Sequence, residues 1–209
     1  MGEGSKLWED KKLLLQEDML SPLSCAVEVA RRRKMQTIQA IGLSSDQVKE
    51  VAMGMKGYLG LKELDLGGGA LGHVGHSTIS AVPPNLFRSA FPNLVKINLS
   101  NASPTAEQLA CLFSSLSPSG KITALNLEEV DLASVAGNEF SKVAMLVELN
   151  LNNCVLNPEQ INTMWDGIEE VSNLQLTKLS VKNMDLSAVP VQVFNPWLRW
   201  LISLKHRGV

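Results

Sequence analysis

Aromatic residues are scarce. They make up 5% of the 209 residues, with one tyrosine, four tryptophans and five phenylalanines, so the large anchors that usually dominate partner binding are few. Cysteine is rarer still: Cys25, Cys111 and Cys154 are odd in number and far apart, which argues against a disulfide framework and for a reducing compartment. Charge of one sign is lacking too, since 19 Lys+Arg stand against 21 Asp+Glu for a formal charge of -2. No global field points toward nucleic acid. No uninterrupted apolar run reaches the ~18 residues of a spanning helix. The opening MGEGSKLWEDKKLLLQEDML sets acids beside its short apolar stretch and makes a poor export signal. The expectation is a cytoplasmic protein without a membrane span, whose 45% hydrophobic residues suffice for a real core in one domain or two small ones.

What the chain does contain is a repeat. Four segments align at once: Leu61-Lys-Glu-Leu64-Asp-Leu66, Leu94-Val-Lys-Ile97-Asn-Leu99, Ile122-Thr-Ala-Leu125-Asn-Leu127 and Leu146-Val-Glu-Leu149-Asn-Leu151. Leu176-Thr-Lys-Leu179-Ser-Val181 has the same shape, and Met35-Gln-Thr-Ile38-Gln-Ala40 is a weaker copy. From first residue to first residue the spacings are 26, 33, 28, 24 and 30. In each copy the last two aliphatic residues sit two apart and so share one face of a short strand, while the residue between them points to the other face. One such strand cannot bury its leucines alone, which calls for neighbours stacked in parallel.

This pattern resembles the leucine-rich repeat superfamily, whose units read LxxLxLxx(N/C)xL at a period of ~20–29 residues. The resemblance covers roughly residues 35–204 and implies an α/β solenoid of about six or seven repeats over residues 35–209, with a curved parallel sheet on its concave side. Longer units with helices are similar to the ribonuclease-inhibitor type of cytosolic proteins, including the receptor tails of the NLR family of innate immunity. The place usually held by Asn or Cys reads Leu43, Gly69, Ala102, Val130, Cys154 and Met184, so only Cys154 conforms and the usual Asn ladder is missing. Asn101, Asn153 and Asn183, one residue earlier, are candidates to replace it.

Between the strands, helices are expected after Ser44, after Pro104-Thr105 and after Asn157-Pro158, each followed by apolar residues at helical spacing. Segments 72–93 and 128–145 lack that spacing and read as turns and extended chain. Residues 1–34 carry no repeat and read as an N-terminal helical cap, with one amphipathic helix through Leu7 and Leu14 and a second from Pro22 through Leu23, Ala26, Val27 and Ala30. At the far end, residues 198–204 read either as a last strand or as a closing helix.

Chemistry-bearing motifs are weak. Gly67-Gly-Gly69-Ala-Leu-Gly72 matches GxGxxG, but no amphipathic helix follows to point an N-terminus at a phosphate. His73 and His76 have no third ligand nearby, and no GxSxG or positioned Cys–His pair occurs. All three cysteines read as buried, inert thiols. The basic run Arg31-Arg32-Arg33-Lys34 reads as a solvated helix end. No catalytic residue, metal site or cofactor is expected.

The expected working surface is the concave face. Its central column reads Gln39, Asp65, Asn98, Asn126, Asn150 and Ser180; the column before it Thr37, Glu63, Lys96, Ala124, Glu148 and Lys178; the column after it Ile41, Gly67, Ser100, Glu128, Asn152 and Lys182. Dispersed amides and charges suit a protein or peptide partner better than catalysis. The candidate partner-binding residues are Glu63, Asp65, Lys96, Asn98, Asn126, Glu128, Glu148, Asn150, Asn152, Lys178, Ser180 and Lys182. The expectation is a noncatalytic recognition or scaffold module, its resemblance implying ligand sensing or autoinhibition within a larger NLR-like protein. The alternatives are a nucleotide-binding enzyme using the Gly67–Gly72 loop and a purely structural assembly subunit.

Overall fold

Each aliphatic triplet becomes a short strand, and each strand lies beside the one before it. The computed structural model describes residues 11–16, 23–41, 43–67, 82–84, 92–117, 120–170 and 175–184. Seven strands, β1 (Lys12–Gln16), β2 (Thr37–Ile41), β3 (Glu63–Asp65), β4 (Lys96–Asn98), β5 (Ala124–Asn126), β6 (Glu148–Asn150) and β7 (Lys178–Ser180), form one parallel sheet in chain order. The register is that of the repeat: Gln39, Asp65, Asn98, Asn126, Asn150 and Ser180 pair rung by rung. Leu64, Ile97, Leu125 and Leu149 point into the core with 2% exposure or less, and the polar residues after them stay half-buried on the other face. This makes an α/β fold whose apolar residues gather in a single cluster running from Leu13 to Leu176.

Among the described residues, four α-helices cover the apolar side: α1 (Leu23–Arg32), α2 (Ser45–Gly54), α3 (Ala106–Ser115) and α4 (Pro158–Glu170). The last three start where capping residues predict. Ser44 and Thr105 accept from the backbone N–H of Gln47 and Gln108, whose side chains accept the cap N–H in return. Asn157 and Gln160 make the same reciprocal pair. Two of these glutamines also reach outside their helices. Buried Gln108 donates to the Val82 carbonyl, and fully buried Gln160 donates to the carbonyls of Leu132 at 2.8 Å and Val135 at 2.7 Å. The cap thus ties each helix to the chain segment before it.

The N-terminal reading needs correction. Leu14 lies on a strand, not a helix, because Leu13 and Leu15 are both fully buried and β2 offers a parallel edge with which Lys12 to Gln16 pair. β1 also makes the contact that recurs at each later rung, in which two successive N–H groups share one carbonyl. Gln36 and Thr37 donate to Lys11, as Lys62 and Glu63 donate to Gln36 and as Thr177 and Lys178 donate to Val147. The sheet therefore crosses the boundary expected between residues 34 and 35. The second expected helix is present as α1, with Leu23, Val27 and Ala30 buried. Leu7, and the strand-or-helix alternative at 198–204, lie outside the described residues.

Segment 128–145 is also not simply extended. Gly137–Met145 winds as a 3-10 helix that buries Phe140, Val143 and Ala144. Phe140, Val143 and Ala144 fall at i, i+3 and i+4, a helical spacing, but Ala136 before them makes no side-chain cap to mark a helix start. Phe140 stacks on Phe113 of α3 with ring centroids 5.0 Å apart. Of segment 72–93, only 82–84 and 92–93 are described.

The missing Asn ladder has a replacement. Three residues beyond β4, β5, β6 and β7 the backbone turns left-handed, at Asn101 (φ 55°), Glu129 (61°), Asn153 (57°) and Asn183 (57°). Ala102, Val130 and Cys154 each donate to the carbonyl three residues back, so the left-handed residue is the third of a tight turn, a place that favours Gly or Asn. The residues that occupy the usual Asn position then turn inward, with Ala102 and Val130 buried and the Cys154 thiol donating to the Leu127 carbonyl at 3.0 Å. Glu129 is the misfit. Glu129→Asn is expected to raise unfolding free energy by about 1 kcal/mol, read by urea denaturation. The new amide can still accept from Asn153, as Asn153 accepts from Asn183 at 2.9 Å; no gain would mean that the turn does not strain Glu129.

Candidate functional site

The three columns expected from the sequence lie side by side on the polar face of the sheet, yet they divide by task. The central column is committed to the fold. Asp65, Asn98, Asn126 and Asn150 each close their strand by accepting the backbone N–H two residues on, from Gly67, Ser100, Glu128 and Asn152, at 3.0 to 3.1 Å. Asn and Asp favour this turn because their short side chains reach their own backbone. Ser180 is too short for it, and the Lys182 N–H goes to Asn152 Oδ1 instead, at 2.8 Å, beside the Ser180 hydroxyl at 2.7 Å.

Nitrogens of the same side chains link the rungs. Gln39 and Asn98 both donate to the Asp65 carboxylate, at 3.0 and 2.8 Å, and Asn150 donates to Glu128 at 3.1 Å. Asn126 differs. Its Oδ1 is held by the Glu128 N–H, but no described residue accepts from its Nδ2.

The column before it faces outward. Glu63, Lys96 and Lys178 are exposed, and Lys178 meets Glu148 at 3.7 Å, a contact across water-exposed side chains. No described carboxylate lies within ion-pair distance of Lys96. At β5 this column shrinks to Ala124, and a depression of about 240 Å³ opens there, lined by Lys96, Asn126, Glu148, Asn150 and Lys178 among others. Ala124 was not among the expected partner-binding residues. The signal was present in the sequence as one methyl in a column of longer side chains.

Other candidates separate plainly. The Gly67 N–H is occupied by Asp65 Oδ1 at 3.1 Å, which sets a carboxylate where a nucleotide phosphate would have to approach. Residues 68–72, His73 and His76 lie outside the described residues. Arg31 and Arg32 end α1, where they bind the Gly54 carbonyl and Glu28, as a solvated helix end should. The expectation of three buried thiols fails at Cys25, which is exposed on α1, and Cys111 is only partly covered. Cys154 is buried, and desolvation pushes its thiol up to about 11. That direction opposes nucleophilic use. Iodoacetamide at pH 8 is expected to alkylate Cys25 and spare Cys154, read by peptide mass spectrometry; equal labelling would contradict the burial. Because the native state favours the neutral Cys154 thiol, its contribution to stability is complete below pH 9 and fades as pH rises toward about 11.

Among the described residues no helix is long and apolar enough to cross a membrane. A scan of the chain against protein-family models finds no match, and a search of the curated proteins finds none either.

Proposed function

We propose that this chain is a noncatalytic recognition or scaffold module of the leucine-rich repeat kind, with the polar sheet face as its working surface and a protein or peptide as its partner. The observation that carries the reading is the division of labour between columns. The central amides hold the strand ends, while Glu63, Lys96, Glu148 and Lys178 of the column before them stand outward with few commitments within the fold. A rigid rung spacing of about 4.8 Å then presents these side chains at fixed intervals, which suits an extended or helical segment laid across the strands. A cytoplasmic setting is supported by the unpaired cysteines together with the resemblance, and a place within a larger sensing or assembly protein by the resemblance alone.

The test uses the outward column, since Asn126 and Asn150 cannot be changed without disturbing turns. Affinity capture from cell extract with the intact chain is compared with a Glu63→Lys, Lys96→Glu, Glu148→Lys variant. Captured partners are expected to fall by at least about tenfold while the melting temperature holds within a few degrees, because surface charges contribute little to stability. An unchanged set of partners would refute the assignment of this face.

A further inference from the structure

We infer that the depression over Ala124 seats one carboxylate side chain, aspartate or glutamate, of an extended partner peptide. This rests on the proposed reading of the sheet face as a recognition surface and supplies the chemistry that the surface selects.

Size comes first. The depression measures about 240 Å³, below the ~300–1,000 Å³ of sites that enclose whole small molecules and ample for one side chain. Ala124 stands between Lys96 and Glu148 on neighbouring rungs, and from Lys96 the depression extends across β5 and β6 to Lys178 and Ser180 of β7.

Charge and hydrogen bonding then select the occupant. Lys96 and Lys178 against Glu148 leave one excess positive charge at the rim, and Lys178 is the lysine already engaged, at 3.7 Å. Lys96 is the cation with no described carboxylate within ion-pair distance. On the floor, Asn126 is fixed in orientation by the Glu128 N–H on its Oδ1, which leaves its Nδ2 as a donor with no described acceptor. Its counterparts one rung away on either side are consumed, Asn98 by Asp65 and Asn150 by Glu128. Among the described residues, then, a cation and an amide donor that both lack a partner line the same gap. A carboxylate satisfies both at once, with charge-assisted bonds stronger than neutral ones. A neutral or basic side chain leaves Lys96 unmatched, and a doubly charged phosphate exceeds the single surplus charge.

The experiment selects a displayed library of random heptapeptides on the immobilised full chain and titrates the recovered peptides by fluorescence anisotropy. Recovered sequences are expected to share one Asp or Glu. Changing that residue to Gln or Asn in the peptide, or Lys96→Met in the protein, should each weaken binding by roughly tenfold or more. The two changes together should cost little more than either alone. Ala124→Gln should abolish binding by filling the gap. If that variant does not fold, Lys96→Met decides, because its side chain is exposed. Peptides that lose binding on Lys178→Glu yet share no acid overturn the inference and leave the recognition reading standing. Recovery of no peptide, or of peptides indifferent to every change on this face, overturns both.

Discussion

Gln160→Met is expected to lower unfolding free energy by about 2–4 kcal/mol, although methionine matches glutamine in length and suits a buried site. Gln160 has no exposed surface, and its amide nitrogen bridges the Leu132 and Val135 carbonyls while its oxygen takes the Asn157 N–H. Leu132 keeps a second donor in the Val135 N–H, and exposed Asn157 can turn to water. The buried Val135 carbonyl loses its Gln160 donor outright. Losing the bridge leaves buried polar groups without compensation and frees α4 from the segment before it. For a chain of this size the melting temperature should drop by roughly 5–15 °C. Thermal and urea unfolding followed by circular dichroism measure it. A change below about 1 kcal/mol would show that the glutamine does not clamp the two segments.

A second large loss, about 3–5 kcal/mol, is expected for Phe140→Ala. Phe140 is fully buried, and its ring meets the equally buried Phe113 at 5.0 Å. Truncation removes this apolar surface and leaves a cavity between α3, α4 and the 3-10 segment. That segment cannot collapse freely to fill it. Gly167 of α4 packs so tightly on Ser141 that an added Cβ would lie 2.6 Å from backbone atoms. Phe140→Leu, which retains most of the volume, should recover part of the loss. Similar unfolding curves for Phe140→Ala and the parent chain would mean that the 3-10 segment is not a packed part of the core.

How much of this could be read in advance differs by element. The strands at Leu64, Ile97, Leu125 and Leu149 were legible because two-residue alternation leaves only one face for the aliphatic side chains. Helix starts at Ser44, Thr105 and Asn157 were legible because capping is a local interaction. β1 was not, since Lys12-Leu-Leu-Leu-Gln16 alternates with neither period, and only the edge of β2 decides that Leu13 and Leu15 face inward. The 3-10 segment was hidden for another reason: Phe140, Val143 and Ala144 follow helical spacing, but Ala136 offers no side-chain cap to mark a start, and packing against α3 and α4 settles it.

The candidate site shows the same split. By itself the sequence determined which residues share a rung and which column each belongs to, because parallel pairing of identical short motifs admits one register without turning leucines outward. Only the tertiary structure decided what those residues are free to do. The nitrogens of Asn98 and Asn150 proved to be taken by carboxylates on neighbouring rungs, and a single methyl at Ala124 opened a gap beside Lys96, which has no described carboxylate within reach. Register follows from a repeating pattern along the chain. Hydrogen-bond allegiance depends on neighbours some 22 to 33 residues away, as between Asn150 and Glu128 or Asn98 and Asp65, which become adjacent only when the rungs are stacked.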